Sequence, residues 1–130
     1  MVLIDTSAWI QFFRKKGNPE LKNTVARLLQ IQQAAYTCPV YYELYFGAKS
    51  HEIEDLELGL SFAQRYPVNV DHWDQAARTA NQLRLKGFSV PASDILIATV
   101  ASDEELSLLS NDKHFVTVKE NAMNSLQLQF

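Results

Sequence analysis

Short apolar runs alternate with longer stretches of helical spacing along the whole chain. Val2-Leu3-Ile4 is a continuous apolar run closed by Asp5, the pattern of a parallel strand covered on both faces. Thr6 and Ser7 are cap residues for a helix carrying Trp9, Ile10, Phe12 and Phe13, which should stop at the Lys15-Lys16-Gly17 turn. Asn18, Pro19 and Glu20 provide an N-cap, a first-turn proline and an acidic first turn for a second helix; Leu21, Val25, Leu28 and Leu29 keep its spacing, and Gln32 does not. Ala35-Tyr36-Thr37-Cys38 reads as a second strand, and Pro39, which has no N–H to give a sheet, ends it or opens the next helix, the one holding Tyr42, Glu43, Phe46 and Gly47. An acidic helix is predicted over 52–64, then a third strand over Pro67-Val68-Asn69-Val70. Asp71 is the predicted cap of a helix through Trp73, Ala76, Ala77, Ala80 and Leu83 that ends at Gly87. Pro91 and Ser93 introduce a helix from Asp94 to about Ala101, Leu106 to Ser110 forms a fourth strand, and Leu126 to Phe130 alternates like a half-exposed edge strand.

Strands that alternate with helices imply a parallel sheet sandwiched by helices, because parallel neighbours need crossover connections. The fold class is therefore α/β, and the 130 residues, without repeats, low-complexity tracts or Gly/Ser linkers, form a single domain over 1–130. In such sheets ligands bind beyond the carboxyl ends of the strands, where strand order reverses. Asp5 and Asp112 both fall at predicted strand ends.

Four acids stand beside strongly apolar runs: Asp5, Glu43, Asp94 and Asp112. Three of them have an ordinary alternative. Asp94 suits a helix start, Glu43 lies in the first turns of its own helix, and Asp112 in Ser110-Asn111-Asp112-Lys113 suits a turn. Taken together, they ask for a shared cation, since acids are almost never buried without compensation. Two carboxylates about 4 Å apart repel by roughly 4 kcal/mol at an effective dielectric near 20, and a divalent cation reverses that sign. An all-oxygen donor set selects Mg²⁺ or Mn²⁺ over zinc, and such a site typically awaits a phosphate. The chemistry that follows is phosphodiester hydrolysis, with one metal activating water and another stabilising the leaving oxygen.

Composition narrows the setting. A hydrophobic fraction of 47% and a charged fraction of 21% are those of a globular protein. The single cysteine, Cys38, reads as a small buried hydrophobe and points to a reducing compartment. Met1 runs straight into a short apolar segment that Asp5 interrupts, and no run approaches membrane-spanning length, so a cytoplasmic protein is expected. Net charge of −3 argues against a large non-specific grip on nucleic acid without excluding a nucleic-acid substrate. His51, His72 and His114 lack zinc-ligand spacing, and only His114, two residues past Asp112, is a candidate for a minor substrate role. Arg14-Lys15-Lys16 and Lys113 are candidate phosphate contacts that serve equally as a solvated face. Trp9, Phe12, Phe13, Tyr41, Tyr42, Tyr45 and Phe46 are core by base rate but dense enough for a partner surface.

Four segments carry a family resemblance: Val2-Leu3-Ile4-Asp5-Thr6-Ser7-Ala8-Trp9, Tyr42-Glu43-Leu44-Tyr45-Phe46-Gly47-Ala48, Ser93-Asp94-Ile95-Leu96-Ile97-Ala98 and Ser110-Asn111-Asp112-Lys113-His114-Phe115. In this order they resemble a PIN domain, specifically the VapC-type toxin ribonucleases, over essentially the whole chain. The resemblance implies a three-layer α/β/α fold with five parallel strands and an endoribonuclease dependent on Mg²⁺ or Mn²⁺. It also implies a homodimer and a VapB-type antitoxin that obstructs the site. By motif, Asp5, Glu43, Asp94 and Asp112 become the metal-binding catalytic acids, and Ser7 and Ser110 the hydroxyls that support them. Many relatives carry a further acid near the position of His114, which this chain lacks. A phospho-receiver module is the alternative of another class, but Asp5 is followed by Thr6 rather than a second acid; a dehalogenase-type phosphatase would need an acid where Ser7 stands. A partner-binding member without catalysis would have no reason to keep all four acids.

Overall fold

The computed structural model describes residues 1–129. Five strands, β1 (Val2–Ile4), β2 (Ala34–Thr37), β3 (Gln64–Tyr66), β4 (Ser107–Leu109) and β5 (Gln127–Gln129), form one sheet in the order β3-β2-β1-β4-β5. Every neighbouring pair is parallel, with Leu3 opposite Ala35 on one side and Leu108 on the other. Seven helices supply the crossovers: α1 (Thr6–Phe13), α2 (Pro19–Gln30), α3 (Cys38–Gly47), α4 (Ile53–Leu60), α5 (Val70–Leu85), α6 (Ala92–Asp103) and α7 (His114–Asn121). Consecutive residues of the inner strands, Leu3 and Ile4, Ala34 to Thr37, Leu108 and Leu109, are all buried. Since neighbours in a strand point to opposite faces, helices must cover both sides of the sheet, which gives the three layers. Strand order reverses between β1 and β4, the place where an open α/β sheet leaves a crevice.

Most predicted elements are present, with corrections that have physical causes. The third strand lies over Gln64–Tyr66 rather than 67–70. It is an outer strand with Gln64 and Arg65 exposed, so it carries no apolar run to betray it. Asn69, not Asp71, caps α5, its side chain accepting the His72 N–H at 3.0 Å, so that helix begins two residues earlier than predicted. Asp5, not Thr6 or Ser7, is the N-cap of α1. The predicted acidic helix over 52–64 is α4, shorter at Ile53–Leu60, with a 3₁₀ turn over Ser50–Glu52 before it and Gln64 already in β3, and Cys38 is only partly buried. Helix α7 was not predicted, although Phe115 and Val118, three residues apart, are its buried pair. Phe130, the last residue of the predicted edge strand, lies outside the described residues.

The terminations of three helices show how the connections tighten. Gly87, with φ +89°, follows α5, and the Phe88 N–H returns to the Leu83 carbonyl at 2.9 Å. The same closure follows α2 and α6, but with Gln32 (φ 58°) and Glu105 (φ 55°) in the left-handed position that glycine favours. Those two residues bear a Cβ strain that Gly87 avoids.

Candidate functional site

The switch point gathers side chains from four separate elements. Asp5 ends β1, is 2% exposed, and places Oδ1 3.1 Å from the Ala8 N–H at the start of α1. A carboxylate at this position satisfies one of the free helix amides and benefits from the helix dipole. The Ser7 hydroxyl donates to both Asp5 oxygens, at 2.8 and 3.1 Å, and accepts the Asn111 N–H at 2.9 Å. Ser110, fully buried just past β4, donates to Asp5 Oδ2 at 3.0 Å and accepts the Asp112 N–H at 2.8 Å. Two hydroxyls thus tie the end of β1 to the loop after β4.

Asp94, 8% exposed in the first turn of α6, has Oδ2 2.8 Å from His114 Nδ1. The same nitrogen lies 3.3 Å from Asp112 Oδ1, which also accepts the His114 backbone N–H at 2.9 Å. Glu43, half-buried on α3, accepts from the Thr6 hydroxyl at 2.7 Å through Oε1, and Ser93 donates to Oε2 at 3.4 Å. The contacts close on themselves: Glu43 to Thr6, the adjacent Asp5 to Ser110, Asp112 to His114, His114 to Asp94, and Ser93, beside Asp94, back to Glu43.

Electrostatics agree with a shared pocket. Burial pushes the Asp5 carboxyl up to about 6, against the opposing hydrogen bonds of Ser7, Ala8 and Ser110, and the Asp94 charge adds to the rise. Asp94 is also raised, chiefly by burial; the His114 hydrogen bond opposes this, and the Asp112 and Glu43 charges reinforce it. Among the described residues no lysine or arginine forms a salt bridge with any of the four acids. The donors that hold them are hydroxyls, backbone amides and one imidazole. Donor atoms of Asp94, Asp112 and His114 lie within 4.8 Å of one another, a mostly oxygen set that could hold a hard divalent cation, while Asp5 and Glu43 stand outside that group and reach it through Ser110, Thr6 and Ser93.

Helix α3 is itself anchored. Tyr41 and Tyr45 both donate to Glu57 Oε1 on α4, and the Arg65 guanidinium lies 4.4 Å over the Tyr41 ring. These contacts fix the helix that carries Glu43. The dense aromatic set divides accordingly: Trp9 stacks on Phe13 and Phe12 meets both edge-on, with Trp9 fully buried, whereas Tyr42 and Phe46 stack on each other in solvent, 70% and 83% exposed. Sequence reasoning treated Thr6 and Ser93 only as helix-start residues and gave His114 little weight. Their signal was adjacency to the acids, which one-dimensional spacing does not convert into a contact. Arg14, Lys15 and Lys16 are exposed at the end of α1 and enter no salt bridge among the described residues.

An open parallel sheet with carboxylates collected at its switch point defines a class of α/β proteins built to act on ligands at strand ends. Within it the chain belongs to the PIN-domain family, whose model matches residues 2–121. No curated protein matches the sequence. Solved structures that resemble it include VapBC2 from Rickettsia felis bound to a promoter DNA fragment, at 21% identity and TM-score 0.80 over 99% of this chain and 98% of that one. DNA-bound VapBC from Salmonella typhimurium is similar at 16% identity and TM-score 0.80, over 98% and 96% of the two chains. FitAcB from Neisseria gonorrhoeae is similar at 17% identity and TM-score 0.79, over 100% and 97%. At these identities the likeness establishes the fold.

Proposed function

We propose that the chain is a divalent-cation-dependent endoribonuclease of the VapC type, the toxin of a toxin–antitoxin pair, with Asp5, Glu43, Asp94 and Asp112 as its metal-binding catalytic acids. The observation that carries the reading is the closed hydrogen-bonded circuit joining these acids at the switch point of a PIN fold. Membership of a nuclease family and likeness to toxin–antitoxin complexes support it.

Mg²⁺ or Mn²⁺, when bound, supplies Lewis-acid activation of water and neutralises charge on phosphate. The protein's part is to hold and orient. Asp5 is immobilised by four donated hydrogen bonds, from Ser7 to each oxygen, from Ala8 and from Ser110. Glu43 Oε1 is committed to Thr6, while Oε2 has only the long contact from Ser93. Oε2 is therefore the oxygen free to face a cation or to take a proton from water attacking phosphorus. Asp94 and Asp112 meet at the His114 imidazole.

The partners follow from the same reading: an RNA substrate, a VapB-type antitoxin and a second copy of the chain, in the cytoplasm. Exposed apolar side chains, Tyr42 and Phe46 on α3 with Val70 and Trp73 on α5, offer surface for such assembly. Among the described residues no helix is long and apolar enough to cross a membrane.

The deciding experiment sequences RNA 5′ ends after brief expression of the wild type and of Asp5→Asn. Discrete new ends with wild type alone are expected. Identical end profiles, or cleavage by purified wild type that persists in EDTA, would overturn the assignment.

A further inference from the structure

We infer that His114 is itself a metal ligand, so that one cation position has a mixed nitrogen and oxygen donor set and prefers Mn²⁺ or a later divalent metal to Mg²⁺. The inference rests on the proposed role of the four acids in holding a cation. His114 Nδ1 is 2.8 Å from Asp94 Oδ2 and 3.3 Å from Asp112 Oδ1, and the three donor atoms all lie within 4.8 Å of one another. Adjacent ligands on an octahedral cation with bonds of about 2.1 Å are separated by about 3.0 Å, between the two observed spacings. Both separations to the imidazole are thus those that a common ion requires.

Two further features hold the imidazole in place. His114 is the first residue of α7, and its own N–H is fixed to Asp112 Oδ1 at 2.9 Å, so backbone and ring address the same carboxylate. The ring meets the acids through Nδ1, while its side chain is 46% exposed, which leaves the far edge toward solvent and substrate. Imidazole suits the later first-row ions, whereas Mg²⁺ favours oxygen and water. Exchanging one carboxylate for an imidazole therefore shifts selectivity away from Mg²⁺.

A second cluster of comparable composition, His72 with Asp103 and Glu104, does not have this capacity. Its Nδ1 accepts the Asn69 N–H at 3.1 Å, so the proton sits on Nε2 and is donated to Asp103 Oδ2 at 3.0 Å. Both nitrogens are occupied, Nδ1 by the N-cap of its own helix and Nε2 in joining α5 to the end of α6. His114 meets carboxylates through Nδ1 alone, and a cation placed between them would displace the proton that this nitrogen shares with Asp94.

The test is pulsed electron paramagnetic resonance of the full chain loaded with Mn²⁺ alone, on the wild type, His114→Asp and Asp94→Asn, with Mn²⁺ and Mg²⁺ affinities followed by thermal shift. His114→Asp should fold, because an acid is favoured at a helix start. Expected are a bound Mn²⁺ signal with ¹⁴N modulation in the wild type, loss of that modulation with Mn²⁺ still bound in His114→Asp, and a Mn²⁺-over-Mg²⁺ preference that narrows by about tenfold in the variant. Bound Mn²⁺ without ¹⁴N modulation, or modulation that survives His114→Asp, would overturn the ligand assignment and leave the acids' role intact. Absence of bound Mn²⁺ in the wild type, or equal binding by Asp94→Asn, would overturn both.

Discussion

Replacing Asp5 by asparagine should abolish cleavage and yet make the metal-free protein more stable. The Asn Oδ1 keeps the acceptor role toward Ala8 N–H and Ser7, and its amide can donate to the Ser110 oxygen, whose own proton turns to the Asp112 carbonyl 3.5 Å away. What is lost is a charge that burial disfavours. The Asp5 carboxyl is raised from 3.8 to about 6, a displacement worth about 3 kcal/mol against the folded state when the group is ionised. An acid whose folded-state pKa exceeds its unfolded value binds more protons in the folded state between the two. The wild type therefore loses stability as pH rises from about 4 to about 6, and carries the full penalty above that window. Thermal melts in EDTA should place Asp5→Asn roughly 10 °C above the wild type at pH 7.5, with the advantage shrinking to about 1 kcal/mol at pH 4.5. Adding Mg²⁺ or Mn²⁺ at a hundredfold excess over Kd should return about 2.7 kcal/mol to the wild type and much less to the variant. If Asp5→Asn melts at or below the wild type in EDTA at pH 7.5, or if its advantage is the same at both pH values, Asp5 is a structural residue and the argument fails.

Other substitutions probe the frame around the site. Ser110→Ala removes the donor to Asp5 and the acceptor for the Asp112 N–H together; it should cost about 2 kcal/mol in urea unfolding and slow RNA cleavage, and an unchanged rate would dissociate Ser110 from the chemistry. A Cβ at Gly17 would lie 1.9 Å from the Gln11 carbonyl oxygen, so Gly17→Ala should destabilise by about 2 kcal/mol or more, with a wild-type urea midpoint counting against this packing. Glu105→Gly relieves the left-handed backbone at φ 55° and should add about 0.5–1 kcal/mol, read as a raised Tm; a lowered Tm would mean that the Glu105 side chain matters more than its backbone.

The legible parts of the fold were those where burial writes itself into composition. Val2-Leu3-Ile4 and Leu106 to Leu109 are inner strands, covered on both faces, and their apolar runs marked them almost to the residue. Strand β3 escaped because its outer position permits Gln64 and Arg65, and the apolar Val68 nearby drew the assignment forward. Helix α7 escaped because it opens without a side-chain cap and is rich in Val and Thr, residues that suit strands. The four acids were visible because each interrupts or closes an apolar run. Of the supporting hydroxyls, Ser7 and Ser110 were expected from the family resemblance, whereas Thr6 and Ser93 look like ordinary helix-start residues until the sheet brings α1, α3 and α6 together.

That support explains how the cluster tolerates its own repulsion without losing its purpose. Arginine or lysine beside buried carboxylates would relieve the repulsion by neutralising it, and the acids would then have little charge to offer a cation. Hydroxyls of Thr6, Ser7, Ser93 and Ser110 do something different: each fixes the direction of a carboxylate oxygen while leaving its charge intact. Burial raises the carboxyls of Asp5 and Asp94, the hydroxyl bonds to Asp5 only oppose that rise, and the folded state holds charge in place at a cost in stability. In the proposed nuclease a divalent ion would remove that cost, linking stability to metal occupancy through the same oxygens. On the proposed function, neutral donors supply the orientation and the acids keep their charge for the cation.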